Sequence, residues 1–96
     1  MSAYVVVDID ITDPVGYKEY RALAPASIAA HGGRFLARGG RTAVLEGEWE
    51  PQRVVILEFS SIEAAQAWLV SPEYAAALAI RRRTASANMI VVDGVS

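Results

Sequence analysis

The only imidazole in the chain is His31, set one residue before the glycine pair Gly32-Gly33. Histidine titrates nearest neutrality, so it can serve as a general base or as a hydrogen-bond donor to a ligand. A histidine closing a helix has a plainer use as well, since partial positive charge there meets the negative end of the macrodipole. Glu58 is the second candidate for proton transfer. It lies inside Arg53-Val54-Val55-Ile56-Leu57-Glu58-Phe59, the clearest strand pattern in the chain, and a carboxylate buried there must be paired or protonated. Arg38, in the preceding strand pattern, is the expected partner. Together these three suggest base catalysis by His31 or Glu58, with Arg38 stabilising an enolate. The same pair of charges would equally make a salt bridge at a sheet edge or between subunits.

Tyr17, Tyr20, Trp68 and Tyr74 fall on helical patterns and are expected to face the sheet. As core they bury large apolar area. As the lining of a pocket, Tyr20, Trp68 and Tyr74 suit a flat, mostly apolar ligand, the hydroxyls fixing its orientation. Small residues beside them, Ala64, Ala65 and Ala75, leave space for one. Asp8 and Asp10 make a carboxylate pair, but no sugar-binding aromatic groove accompanies them; solvent or a partner's arginines are their expected surroundings. Arg81-Arg82-Arg83 reads as a solvated helix end matched to its dipole.

Composition removes several kinds of chemistry. There is no cysteine, hence no disulfide, thiolate metal site or cysteine nucleophile. A lone histidine makes no metal site, and neither a metal nor any other cofactor is expected. The net charge of −2 offers no general attraction to nucleic acid or to an anionic membrane. Met1-Ser2-Ala3-Tyr4 leads directly into an apolar strand without a signal-peptide pattern, and no apolar run approaches about 18 residues. A cytoplasmic protein without membrane segments is therefore expected.

These residues must be positioned by one domain covering residues 1–96, a common size for a single domain. Tyr4 to Ile11 reads as a strand with apolar residues on both faces. Asp13-Pro14 opens a helix carrying Tyr17, Tyr20, Ala24, Ile28 and His31 on one face, with Pro25 interrupting its hydrogen bonds. Arg34–Arg38 and Thr42–Leu45 read as two strand pieces around a bulge or sharp bend at Gly39-Gly40. Ser60-Ser61-Ile62-Glu63 resembles a capping box opening the next helix, and Ser71-Pro72 restarts it. A last strand runs from Ala87 to Val92.

The order is β-α-β-β-α-β: an α+β, ferredoxin-like domain with a four-stranded antiparallel sheet, the first and third strands central and the helices on one face. The other face is too apolar to stand in water, and a second copy is its simplest cover.

Several spaced segments carry a family resemblance. They are Tyr4-Val5-Val6-Val7-Asp8-Ile9, Thr12-Asp13-Pro14 with Tyr17 and Tyr20, Gly32-Gly33-Arg34-Phe35-Leu36-Ala37-Arg38-Gly39-Gly40, and Leu45-Glu46-Gly47 with Trp49. Leu57-Glu58-Phe59, Ala67-Trp68, Ser71-Pro72-Glu73-Tyr74 and Arg81-Arg82 follow in order. Together they resemble the uncharacterised bacterial family DUF1330 from end to end. The resemblance implies the dimeric α/β-barrel superfamily, beside antibiotic-biosynthesis monooxygenases, muconolactone isomerases and chlorite dismutases. It implies a homodimer with facing sheets and a ligand cavity between sheet and helices in each subunit. The expected function is a cofactor-independent enzyme, monooxygenase- or isomerase-like, acting on a small, partly aromatic organic molecule. The alternatives are a non-catalytic small-molecule-binding or stress-associated homodimer, and a purely structural dimer.

Overall fold

A computed structural model describes residues 2–95. The elements run β1 (Ala3–Ile11), α1 (Pro14–Ala30), β2 (Arg34–Arg38), β3 (Val54–Phe59), α2 (Ile62–Leu69), α3 (Pro72–Thr84) and β4 (Ala85–Asp93). The strands form one antiparallel sheet in the order β2-β3-β1-β4, the ferredoxin-like arrangement expected from the right-handed crossovers.

Period-two alternation in the strands decides what each face does. In β1 and β3, Val5, Val7, Ile9, Val55, Leu57 and Phe59 point to the helices and are buried. Val5 stands opposite Leu57 on one side and Val91 on the other, so the neighbouring strands present the same face. Tyr4, Val6, Val54 and Ile56 point the other way, joined by Ile90 and Val92 of β4, which are 64% and 49% exposed. The Cα body measures 36 × 32 × 16 Å, thin because its helices pack on one side of the sheet only.

Local chemistry starts each helix. Asp13 Oδ1 accepts from the Gly16 N–H at 3.1 Å, with Pro14 at the first helical position, where no N–H is needed. Ser71 Oγ accepts from the Tyr74 N–H at 3.2 Å, again ahead of a proline. The start of α2 differs from expectation. Ser61, not Ser60, is the cap, accepting from the Ala64 N–H at 3.0 Å. The third helical position is then Ala64, so Glu63 cannot close a capping box.

The stretch after β2 also differs. Thr42–Leu45 forms no strand; residues 41–50 are exposed and unladdered. Gly39 takes φ +70° and its N–H gives a last 2.9 Å bond to the Val54 carbonyl before the chain turns away. The bulge lies earlier than the glycine pair, between Phe35 and Ala37. Among the described residues, no helix is long and apolar enough to cross a membrane.

Candidate functional site

The bulge at Leu36 decides which arginine meets Glu58. Before it, Arg34 stands opposite Glu58 and Phe35 opposite Leu57. After it, Ala37 pairs with Ile56 and Arg38 with Val55, so Arg38 lies on the helix side while Arg34 and Glu58 share the open face. The expected Arg38–Glu58 pair is therefore not formed. Arg34 Nε donates to Glu58 Oε1 at 2.6 Å instead. A hydrogen bond from Ser2 and then that from Arg34 hold the Glu58 carboxyl below its ordinary value. The pair borders a shallow, open hollow with Ser2, Gly32 and Ser60.

His31 turns away from the tyrosines. As the residue closing α1, it places Nε2 2.7 Å from Glu73 Oε1 in the first turn of α3. The contact joins two helices on the outer side of the molecule. His31, Glu58 and Arg38 thus occupy three separate places.

The tyrosines, Trp68 and Arg38 do come together. Between the helix-facing side of the sheet and α1 and α3 lies a cavity bordered by Tyr17, Tyr20, Phe35, Val55, Leu57 and Trp68. Its gaps total about 430 Å³ including the mouth, of which about 30 Å³ is wide enough for water, room for one or two molecules. Tyr74 is fully buried behind this wall. Its hydroxyl lies 2.7 Å from that of Tyr20 and accepts from Arg81 Nε at 3.2 Å. Trp68 stacks at 4.2 Å between ring centres on Tyr74 and donates its indole N–H to Ser27 Oγ at 3.2 Å. Ser27 in turn donates to the Ala24 carbonyl at 2.8 Å, so the indole is held by α1 while its ring is held by α3.

Four arginines edge the same cavity: Arg21, Arg38, Arg53 and Arg81. Arg81 is only 8% exposed, which corrects its expected role as part of a solvated helix end. It lies seven residues after Tyr74, on the same helical face, and that spacing is the sequence signal for it. Arg53 had no such signal. It precedes β3 in register with Val55, which carries its side chain to the helix side. The Arg38 guanidinium rests 4.5 Å from the centre of the Phe35 ring. Burial, first of all, raises the pKa of both Tyr17 and Tyr20, so these hydroxyls stay protonated and act as hydrogen-bonding groups, not as bases. Asp8, expected toward solvent or a partner, instead gathers the loop after β2: it accepts from the Trp49 indole at 3.2 Å and the Gln52 N–H at 2.9 Å. Among the described residues, no three His, Asp or Glu side chains cluster as a metal site would require.

The model of a domain of unknown function, DUF1330, matches residues 2–95. The chain belongs to this family. A DUF1330 fold of this shape also has solved counterparts. A protein of unknown function from Rhodopseudomonas palustris superposes with TM-score 0.76 at 17% identity, covering 99% of this chain and 83% of that one. SnoaB, a cofactor-independent oxygenase from Streptomyces nogalater, gives 0.66 at 13% identity, with 99% and 94% covered. A dimeric protein of unknown function and ferredoxin-like fold from Bacteroides fragilis gives 0.61 at 16%, with 97% and 96% covered. At these identities the likeness is one of fold. No curated protein matches the chain.

Proposed function

We propose that this DUF1330 chain is a homodimer that binds a small, partly aromatic organic molecule in the cavity between sheet and helices. The observation that carries the reading is the cavity wall itself: Tyr20, Trp68 and Phe35 surround a space whose polar groups are the tyrosine hydroxyls and arginines. Apolar walls with a few converging polar groups are the usual make-up of a small-molecule site. A ligand larger than water needs the cavity to widen, and its rim is where Arg21 and Arg38 are exposed. Pairing through the open sheet face is supported by the exposed Ile90, Val92 and Leu36, and by the Bacteroides counterpart, itself a dimeric protein.

Cofactor-independent catalysis is the second reading, favoured by one feature. Arg81 and the Tyr20–Tyr74 hydroxyl pair would stabilise negative charge developing on a bound substrate, the usual electrostatic route to catalysis. The oxygenase counterpart from Streptomyces has the same fold. In this reading Arg38, Tyr20 and Trp68 hold the substrate and Tyr74 acts through its bond to Tyr20, whereas His31 and Glu58 stand outside its reach.

Thermal-shift screening of a metabolite panel, with mass spectrometry of the bound species, tests the binding. A hit should lose affinity at least tenfold in Ala24→Leu, which narrows the cavity, once circular dichroism shows that variant folded. Unchanged affinity there would move the ligand elsewhere. With a ligand in hand, His31→Ala and Glu58→Gln should leave binding and any turnover unchanged. Turnover lost with binding intact would restore them as catalytic groups.

A further inference from the structure

Nine lysines and arginines face eleven acidic residues in the whole chain, so carboxylates are available to pair every cation. Around the cavity none does. Arg21, Arg38, Arg53 and Arg81 border it, and no aspartate or glutamate is among its walls. The ion pairs among the described residues, His31–Glu73 and Arg34–Glu58, lie elsewhere.

The four cations are not equally placed. Arg21 and Arg38 sit at the exposed rim. There Arg38 gives Nη2 to the Arg21 carbonyl at 2.9 Å. Arg53 and Arg81 go deeper. Arg53 is half-buried, with its Nε enclosed and without a hydrogen-bond partner, and buried Arg81 gives its Nε to a phenol oxygen. A guanidinium cannot shed its proton to escape burial, and burying it without a counter-charge is strongly unfavourable. The tyrosines do not supply that charge, because burial keeps Tyr17 and Tyr20 protonated.

We propose that the cavity takes a small aromatic carboxylate, its flat body between Phe35 and Trp68 and its carboxylate held by Arg53 and Arg81. The proposal rests on the reading of the cavity as a ligand site and adds the charge of what enters it. A planar guanidinium fits a planar carboxylate through paired N–H···O bonds, and Arg53 and Arg81 both line this one cavity together with Tyr17. Tyr20, bonded to Tyr74, lies on the same side.

Benzoate, benzamide and inorganic phosphate are the probes, titrated into the full-length protein and followed by Trp68 fluorescence and by amide chemical shifts of Val55 and Leu57. Benzoate is expected to bind at least tenfold more tightly than benzamide. Arg81→Met should abolish that preference while leaving benzamide affinity within twofold, and Arg53→Met should do the same if the first variant fails to fold. Free Arg81→Met should melt no lower than the parent, since an unpaired charge has gone. Equal binding of benzoate and benzamide would overturn the anionic assignment and leave the cavity standing as a ligand site. Phosphate binding as tight as benzoate would overturn the aromatic part. Failure of both aromatic probes to move the cavity signals would overturn the proposal together with the cavity reading beneath it.

Discussion

Arg38 donates a 2.9 Å hydrogen bond to the backbone carbonyl of Arg21, the carbonyl that Pro25, four residues on, has no N–H to meet. A proline inside a helix leaves such an acceptor open, and α1 runs through Pro25 nonetheless. The guanidinium from β2 fills the gap, so the interruption in α1 and the position of Arg38 at the cavity rim are one feature.

The first prediction follows from that coupling. Pro25→Ala supplies the missing N–H and lets the helix satisfy its own carbonyl. Arg38→Ala should then cost less in the Pro25→Ala background than in the parent, by about 0.5–1 kcal/mol, the scale of one partly exposed hydrogen bond. Urea denaturation of the four proteins reads the difference. Strict additivity would mean that the contact carries no energy.

Gly39 and Gly47 offer a controlled comparison. Both have positive φ, +70° and +87°, so alanine at either costs about 1–2 kcal/mol in backbone strain. Their surroundings differ. A side chain at Gly39 would run into the Arg53 guanidinium, while one at Gly47 meets nothing. Gly39→Ala should therefore be the more destabilising in urea denaturation and should shift the Arg53 resonances, whereas Gly47→Ala should leave them in place. Equal losses would show that Arg53 yields freely.

How far the sequence could be read depended on whether the deciding interaction was local. Asp13-Pro14 and Ser71-Pro72 announce their helices because the cap bonds reach only three residues. The alternation of β1 and β3 gave the sheet and its apolar second face. Arg38 does not pair with Glu58 because one bulged residue, Leu36, reverses the facing of everything after it, and nothing in Arg34-Phe35-Leu36-Ala37-Arg38 marks which residue bulges. Thr42–Leu45 has strand-like residues but no neighbour to pair with once Gly39 turns the chain. Arg53 and Arg81 look like surface charges in sequence, and the seven-residue spacing from Tyr74 is the one local sign that Arg81 turns inward.

Asp8 links pH to the loop after β2. The Trp49 indole hydrogen bond, ahead of those from the Gln52 and Arg53 N–H groups, lowers its pKa from the ordinary 3.8. A lowered carboxylate pKa means the contact is fully present above the ordinary value and is lost as pH falls through the lower, folded value. The Trp49 indole N–H resonance should accordingly shift with a midpoint below 3.8. In Asp8→Ala it should not titrate in that range. A parent midpoint at or above the ordinary value would mean that the carboxylate does not hold the loop in solution.

Ile90 is the residue on which the homodimer is best tested. It lies midway along the edge strand β4 on the open sheet face, beside Val6, and is 64% exposed, so a charge there costs the isolated subunit little. At an interface between two facing sheets, the same charge would be buried opposite apolar residues, a loss of several kcal/mol for each unpaired cation. Ile90→Lys should thus convert a dimer into a folded monomer by sedimentation velocity at micromolar concentration, with its far-ultraviolet dichroism unchanged. Arg82→Glu, on the exposed part of α3, should leave the dimer intact. A parent protein that sediments as a monomer, or an Ile90→Lys variant that still sediments as a dimer, would remove the sheet face as the contact. The exposed Leu45 and Trp49 of the loop after β2 would then be one apolar surface left to account for.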